Sequence, residues 1–243
     1  MHRHAHTFKY SMRSYIIILR GHQLGERIGA ECREQAARFG IQVERRDAVN
    51  GYLWQDHLLR EGLRPAAFRD KKKTPGMYGN FLSHYHLWQQ CAQGTEPYLI
   101  LEHDGYLLRP LPEHVLDRFT HVLKLDDVDP YRTDYDSIMR SQLQQEQPVE
   151  IVPMSTVGRK DHGAGFYSSG SYAYIIKPAA CRLLIDFVKN KGFLPTDNQL
   201  GLGVVDIQVC HPTVARLHEF YAQGDNIHAF STAKFSDQLP KNI

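Results

Sequence analysis

Pro97-Tyr98-Leu99-Ile100-Leu101 runs without a break into Glu102-His103-Asp104. An apolar run bounded by proline and by charge reads as a buried strand, and the charges mark its carboxyl end. A strand end is a rigid platform. Two carboxylates there can hold a hard divalent cation, Mn²⁺ or Mg²⁺, against a substrate's phosphates. Acidic residues at strand ends also simply terminate strands or cap helices, so the pair alone is weak. The His103 side chain points away from its two neighbours while the chain stays extended. Where the strand has already ended, the imidazole is either a third ligand or a hydrogen-bonded histidine.

Outward from this stretch, short apolar runs alternate with helical segments, which predicts an α/β fold. Ser14 to Arg20 reads as the first strand and Leu24 to Phe39 as a helix closed by Gly40. Ile41 to Arg45 is the second strand, leading into Asp47-Ala48-Val49-Asn50-Gly51. Residues 52–75 read as irregular, with Lys71-Lys72-Lys73 as a solvated run. Gly76 to Gly94 is a helix in which Phe81, Tyr85 and Trp88 share the core face. Further on come a short helix from Pro112 to Phe119, a strand from His121 to Leu125 and a polar loop over 129–148. Glu150 to Met154 is a strand, and the glycine- and serine-rich loop from Gly158 to Ser171 is a candidate lid. Tyr172 to Lys177 is a strand, Pro178 starts a helix running to about Lys189, and Ile207 to Cys210 is the last strand. No linker divides the chain: residues 1–13 read as a flexible arm and 14–243 as one domain.

The 243 residues are 42% hydrophobic with a formal net charge of +2, which excludes a disordered chain and a simple nucleic-acid coat. The balance conceals a pattern. Residues 1–27 carry five bases and one acid, 60–73 six bases and two acids, and 96–136 ten acids and four bases. Acid thus concentrates around the strand quoted above. Cys32, Cys91, Cys181 and Cys210 form no C-x-x-C pair and read as reduced, buried thiols. His2, His4 and His6 read as part of the frayed arm. No apolar run approaches a membrane span and no signal-peptide pattern is present. The sequence reads as cytoplasmic, with peripheral placement at the inner face of a membrane as the option for a lipid-linked substrate.

Four other places suit chemistry. Gly79-Asn80-Phe81-Leu82-Ser83-His84 opens the aromatic helix, where free N–H groups suit an anion, or Ser83 and His84 serve capping and packing. Arg20 ends the first strand and Arg27 follows, placed for phosphates or for solvent. Asp197, in Pro195-Thr196-Asp197, is a base, a hydroxyl ligand or an N-cap. His211 in Cys210-His211-Pro212 is a further metal candidate. The chain lacks G-x-x-x-x-G-K-[ST], H-E-x-x-H and G-x-S-x-G, which weighs against a P-loop NTPase, a zinc metalloprotease and an α/β-hydrolase.

In order, these phrases resemble glycosyltransferase family 25, the lipopolysaccharide- and collagen-type β-galactosyltransferases. The resemblance spans about Tyr15 to Pro212. It rests on Ile17-Ile18-Leu19-Arg20 with Arg27, on Arg46-Asp47-Ala48-Val49-Asn50-Gly51, and on Gly79 to His84 with Trp88. It continues through Leu99-Ile100-Leu101-Glu102-His103-Asp104, Lys124-Leu125, Gly170 with Ala173-Tyr174-Ile175-Ile176 and Ala179-Ala180, and Pro195-Thr196-Asp197. Two positions depart. Asn80 replaces a usual cysteine, a matter of packing. His103 replaces the first aspartate of E-D-D, which bears on the ion held and on activity.

The resemblance implies a GT-A-like single domain with a mixed, mostly parallel central sheet flanked by helices. It implies transfer of a hexose such as galactose or glucose from a nucleotide-diphosphate donor, a UDP-sugar above others, to a hydroxyl of a glycan or glycolipid, with inversion. Arg20, Arg27, Ser83, His84, Glu102 and Lys124 would bind donor. Asp104, Glu102, His103 and His211 would bind metal. Asp197 and Asp104 would be catalytic. The rivals are an impaired nucleotide-sugar or glycan binder, a transferase using an anionic acceptor such as modified nucleic acid, and a metal-dependent hydrolase.

Overall fold

Alternation within Tyr15-Ile16-Ile17-Ile18 sorts the molecule into two cores. In a computed structural model, residues 11–66, 74–126, 135–144, 147–157, 159–161, 165–167 and 170–222 are described. The Lys71-Lys72-Lys73 run and residues 1–10 of the expected arm lie outside them, as does part of the 158–171 loop. The elements are β1 (Arg13–Ile18), α1 (Gln23–Arg38), β2 (Glu44–Asp47), α2 (Trp54–Glu61), α3 (Pro75–Ala92), β3 (Tyr98–Glu102), β4 (Gly105–Leu107) and β5 (Val122–Lys124). There follow α4 (Tyr135–Gln144), β6 (Glu150–Pro153), α5 (Met154–Val157), β7 (Arg159–Asp161), β8 (Gly165–Tyr167), β9 (Ala173–Ile176) and α6 (Pro178–Lys191). The described chain closes with α7 (Thr196–Leu200), β10 (Ile207–His211), β11 (Ala215–Leu217) and α8 (Glu219–Ala222).

Seven strands form one sheet in the order β2-β1-β3-β9-β5-β10-β6. β1 is parallel to β2 and β3, β10 is parallel to β5, and β9 and β6 run against their neighbours. Five strands therefore point one way, in the mixed α/β sheet that the resemblance implied, although its pairings divide into three parallel and three antiparallel. Tyr15, Ile17, Ile100 and Tyr174 face α3 and α6 on one side. Ile16, Ile18, Leu99, Leu101 and Ile175 face α1 on the other. Burial on both faces explains why these strands read as continuous apolar runs. Phe81, Tyr85 and Trp88 of α3 are fully buried, each worth roughly 1.5–3 kcal/mol or more of transfer free energy.

Helix ends follow local chemistry. Thr74 Oγ1 accepts the Met77 N–H at 3.3 Å and Pro75 sits at the first turn of α3. Pro178 likewise starts α6, which ends with Lys189 and Lys191 in its last turn. Four expectations are corrected. Arg13, assigned to the arm, pairs with Tyr98 inside β1, and its N–H donates to the Pro97 carbonyl. Residues 52–75 hold α2, and the polar stretch 129–148 holds α4. The short helix from Pro112 to Phe119 reduces to a 3₁₀ turn over Val115–Asp117. No helix among the described residues is long and apolar enough to cross a membrane.

Candidate active site

β1 has β2 on one side and β3 on the other, and the helices leading to them cover opposite faces of the sheet. That reversal leaves a crevice beyond the carboxyl ends of β1 and β3, where open α/β sheets bind ligands. A cleft occupies it. Its walls are Ile17 and Leu19 after β1, Ala48, Val49 and Tyr52 after β2, Gly79, Asn80 and Ser83 of α3, and His22, Glu102 and His103. Its enclosed part is small, about 70 Å³, and it opens to solvent at its mouth. The lining is largely apolar, with polar groups from His22, Asn80, Ser83, Glu102 and His103.

Two close approaches hold the cleft wall. A Cβ on Gly51 would stand 1.9 Å from the Pro75 carbonyl oxygen, and one on Gly79 would stand 2.6 Å from that of Val49. Only glycine lets the turn after β2 lie this close to α3. Ser83 Oγ fastens the same contact, accepting from Val49 N–H at 2.8 Å and donating to the Gly79 carbonyl at 2.6 Å.

Glu102 is the centre of a hydrogen-bond network. Ser171 Oγ donates to its Oε1 at 2.5 Å, His84 Nε2 lies 3.3 Å away, and the Asn80 side chain lies beside it in the cleft wall. His84 Nδ1 lies 2.7 Å from the Tyr174 hydroxyl, which accepts from Trp88 Nε1 at 3.0 Å. Indole only donates and a carboxylate only accepts, so for a neutral imidazole the order of donors follows. Trp88 donates to Tyr174, Tyr174 donates to Nδ1 of His84, and His84 donates through Nε2–H to Glu102. Burial alone would raise the Glu102 pKa, but these bonds outweigh it and bring the carboxyl down to about 2.

Asp104 is the opposite case. Its Oδ1 is buried and has no hydrogen-bond partner among the described residues. Burial, with Glu102 nearby, pushes its pKa up to about 6 against a lowering from His103. Burial also lowers the His22 pKa, helped by the facing His103.

The remaining expected residues divide. Ser83, Glu102 and His103 line the cleft. His84 is fully buried behind Glu102 and reaches the cleft only through that carboxylate. Asp197 lies half-buried at the start of α7, with Oδ1 accepting from Asn198 N–H at 2.9 Å. Arg20 and Arg27 are 76% and 64% exposed and pair with Asp47 at 3.8 Å and Glu31 at 3.9 Å. Lys124 is 2% exposed; its Nζ donates to the Gly170 carbonyl at 2.7 Å and lies 3.7 Å from Asp126. It is a structural tether and not a cleft residue. His211 is on β10, three strand positions from β3, roughly 14 Å at ~4.8 Å per strand. His22 is a cleft residue that sequence reasoning missed. Its signal was a polar N-cap directly after the first strand: Nδ1 accepts the Gly25 N–H at 2.9 Å.

The donors present bear on a metal in two ways. The orphaned Asp104 oxygen with His103 beside it fits an ion that takes one or two protein ligands and completes its shell with substrate phosphates and water. Glu102 fits less well, because its carboxylate is already occupied. No group of three His, Cys, Asp or Glu among the described residues stands ready to hold a metal.

A crevice at the point where strand order reverses, with an apolar wall and a carboxylate rim, defines an α/β enzyme with a small-molecule site. The model of glycosyltransferase family 25 (LPS biosynthesis protein) matches residues 12–200, so the chain belongs to that family and is a glycosyltransferase. No curated protein shows a significant match to the chain. Among solved structures, the apo form of mouse xyloside xylosyltransferase 1 is similar at 11% identity, over 79% of this chain and 80% of that one, with a TM-score of 0.35.

Proposed function

We propose that the chain moves a hexose, galactose or glucose, from a nucleotide-diphosphate donor to an acceptor hydroxyl with inversion. A UDP-sugar is the favoured donor and a glycan or glycolipid the acceptor. The observation that carries this reading is the mixed apolar and polar lining of the cleft at the carboxyl ends of β1 and β3. Ile17, Leu19, Val49 and Tyr52 offer apolar surface for a nucleoside, and Glu102 and His103, with Asp104 next in the chain, offer polar groups for the diphosphate and sugar. His22 stands at the amino end of α1, where the helix dipole favours an anion.

A divalent ion, Mn²⁺ or Mg²⁺, held by Asp104 and His103 would neutralise the charge that develops on the leaving diphosphate. The chain's own part is to orient and to move a proton. Glu102 fixes the polar floor. Asp197 takes the proton from the acceptor hydroxyl as its oxygen attacks the face of the sugar opposite the diphosphate.

An anionic acceptor has less support. Arg20, Arg45 and Arg46 cluster beside the cleft, yet Glu26 and Asp47 share that surface, and Arg45 pairs with both. The test is a thermal-unfolding screen of UDP-, GDP- and dTDP-sugars with and without Mn²⁺, followed by assays of transfer and donor hydrolysis. A UDP-hexose at 100 times its Kd should add about 2.7 kcal/mol of stability. Failure of every nucleotide sugar to stabilise the protein would overturn the reading; binding without turnover would leave a binder.

A further inference from the structure

We propose that Asn80 is a positioning residue that ties the turn bearing Asp197 to the donor-side carboxylate Glu102, so that acceptor and donor halves of the cleft are held in one geometry. The inference rests on the transferase reading above and deepens it.

Asn80 lines the cleft. Its Oδ1 accepts from Thr196 Oγ1 at 2.5 Å, and its amide lies beside Glu102 in the same cleft wall, where it helps to hold that carboxyl's pKa down. A carboxylate can only accept, so the amide NH₂ faces Glu102 and the amide oxygen faces Thr196. The reversed amide would set its oxygen against Glu102 and its NH₂ against a hydroxyl already needed as donor, so the network assigns the orientation. Thr196 is 2% exposed, which leaves this bond little competition from water. Asp197 is the next residue, and its backbone carbonyl accepts the Gly201 N–H within the same short helix. A shift at Thr196 therefore moves Asp197 directly.

The other end of the link is equally fixed. Gly79, next to Asn80, is pressed on the turn after β2, and Ser83 one helical turn later bolts it there. Glu102 is held independently by Ser171 and His84. Asn80 is thus a rigid two-handed bridge between rigid supports. Three replacements do not do the same work in that space. Aspartate would set a second carboxylate against Glu102. Cysteine, the residue usual at this place in the resemblance described above, offers one weak donor and no amide oxygen. Alanine offers nothing. A small misalignment of a reacting group is costly, of the order of 100-fold in rate for ~1 Å.

The test is a set of variants on the full chain: Asn80→Ala, Asn80→Cys, Thr196→Val, Thr196→Ser and the double variant Asn80→Ala/Thr196→Val. Transfer from a UDP-hexose is followed at varied donor and acceptor. Asn80→Ala and Thr196→Val should each lower kcat about 10- to 100-fold while donor KM stays within about 3-fold. The double variant should be no slower than the worse single one, because both cut the same bridge. Thr196→Ser keeps the hydroxyl and should retain most activity. Multiplicative losses in the double variant, losses confined to donor KM, or a Thr196→Ser as slow as Thr196→Val would overturn the proposal. A wild type that turns over no donor fails the functional reading instead. The bridge is then read by hydrogen exchange: Asn80→Ala should speed exchange at Gln199 and Gly201 at least tenfold, a threshold of about 1.4 kcal/mol in local opening, and unchanged exchange overturns it.

Discussion

The carboxyl ends of β1 and β3 and those of β5 and β10 carry similar residues and meet opposite fates. Both places have a cation or histidine, a carboxylate and a hydroxyl close to a strand end. At β1 and β3 the chain departs to opposite faces of the sheet and leaves a cleft. At β5 and β10 the space is filled. Lys124 and Asp126 are 2% and 1% exposed. Thr213 Oγ1 donates towards the Leu125 and Ala215 carbonyls, and Gln142 of α4 accepts the Thr213 N–H at 2.9 Å. Charge at a strand end is therefore a ligand site only where topology keeps it open. Where a helix covers it, the same charge is internal structure.

The most severe way to break that contrast is Asp104→Ala. Transfer should fall at least ~1,000-fold, the scale of losing a key electrostatic group, yet Tm should not fall. The removed carboxyl has a buried oxygen without a hydrogen-bond partner among the described residues, so its loss relieves burial. Excess chelator should silence the wild type in the same way; full activity in chelator would sink the metal reading, and a large drop in Tm would put Asp104 among the structural charges.

Lys124→Ala tests the closed end. It strands Asp126 without its cation, which costs about 3–5 kcal/mol for a buried pair. Urea unfolding should show the loss, with donor affinity preserved in whatever fraction stays folded. An unchanged urea midpoint with weakened donor binding would make the closed end a donor site and erase the comparison.

Glu102→Gln sharpens the distinction within the open end. The Glu102 carboxyl sits at about 2 against an ordinary 4.5. A depressed acid stabilises the fold above the ordinary value, and that contribution is lost as pH falls through the folded one. The wild type should lose about 2–3 kcal/mol between pH 4.5 and 2 from this group. The variant's Tm should be flatter with pH there; equal slopes would mean that the network does not hold the charge.

The smallest effect is expected of Tyr174→Phe. It removes one link of the chain of donors behind Glu102, worth about 1–2 kcal/mol of stability, and should lower kcat only a few-fold. A loss as large as that of Asp104→Ala would move Tyr174 from support to chemistry.

These contrasts also explain what a reader of the sequence can and cannot see. β1, β3, β9, α3 and α6 were legible because burial on two faces writes long apolar runs or helical aromatic spacing. α4 was not, because its buried residues Tyr135, Met139 and Gln142 sit among glutamines and serine that read as loop. β4 and β11 are three residues each, too short for a period. At the site, Glu102, His103 and Ser83 were legible from their place after a strand or at the start of a helix. Their roles were not. A strand-end Lys124 looks identical whether a helix covers it or not. Asn80 read as a packing substitution because its two partners, Glu102 and Thr196, lie 22 and 116 residues away in the chain.

The ordered donors from Trp88 to Glu102 also give the molecule an optical property. The chain has two tryptophans. Trp54 is stacked on Tyr78 at 4.2 Å and only partly buried, whereas Trp88 is sealed in the core and joined to the cleft through Tyr174 and His84. In a Trp54→Phe background, the emission of a single indole would follow the charge state of a carboxylate two side chains away. Ligand arrival could then be watched in real time without a label.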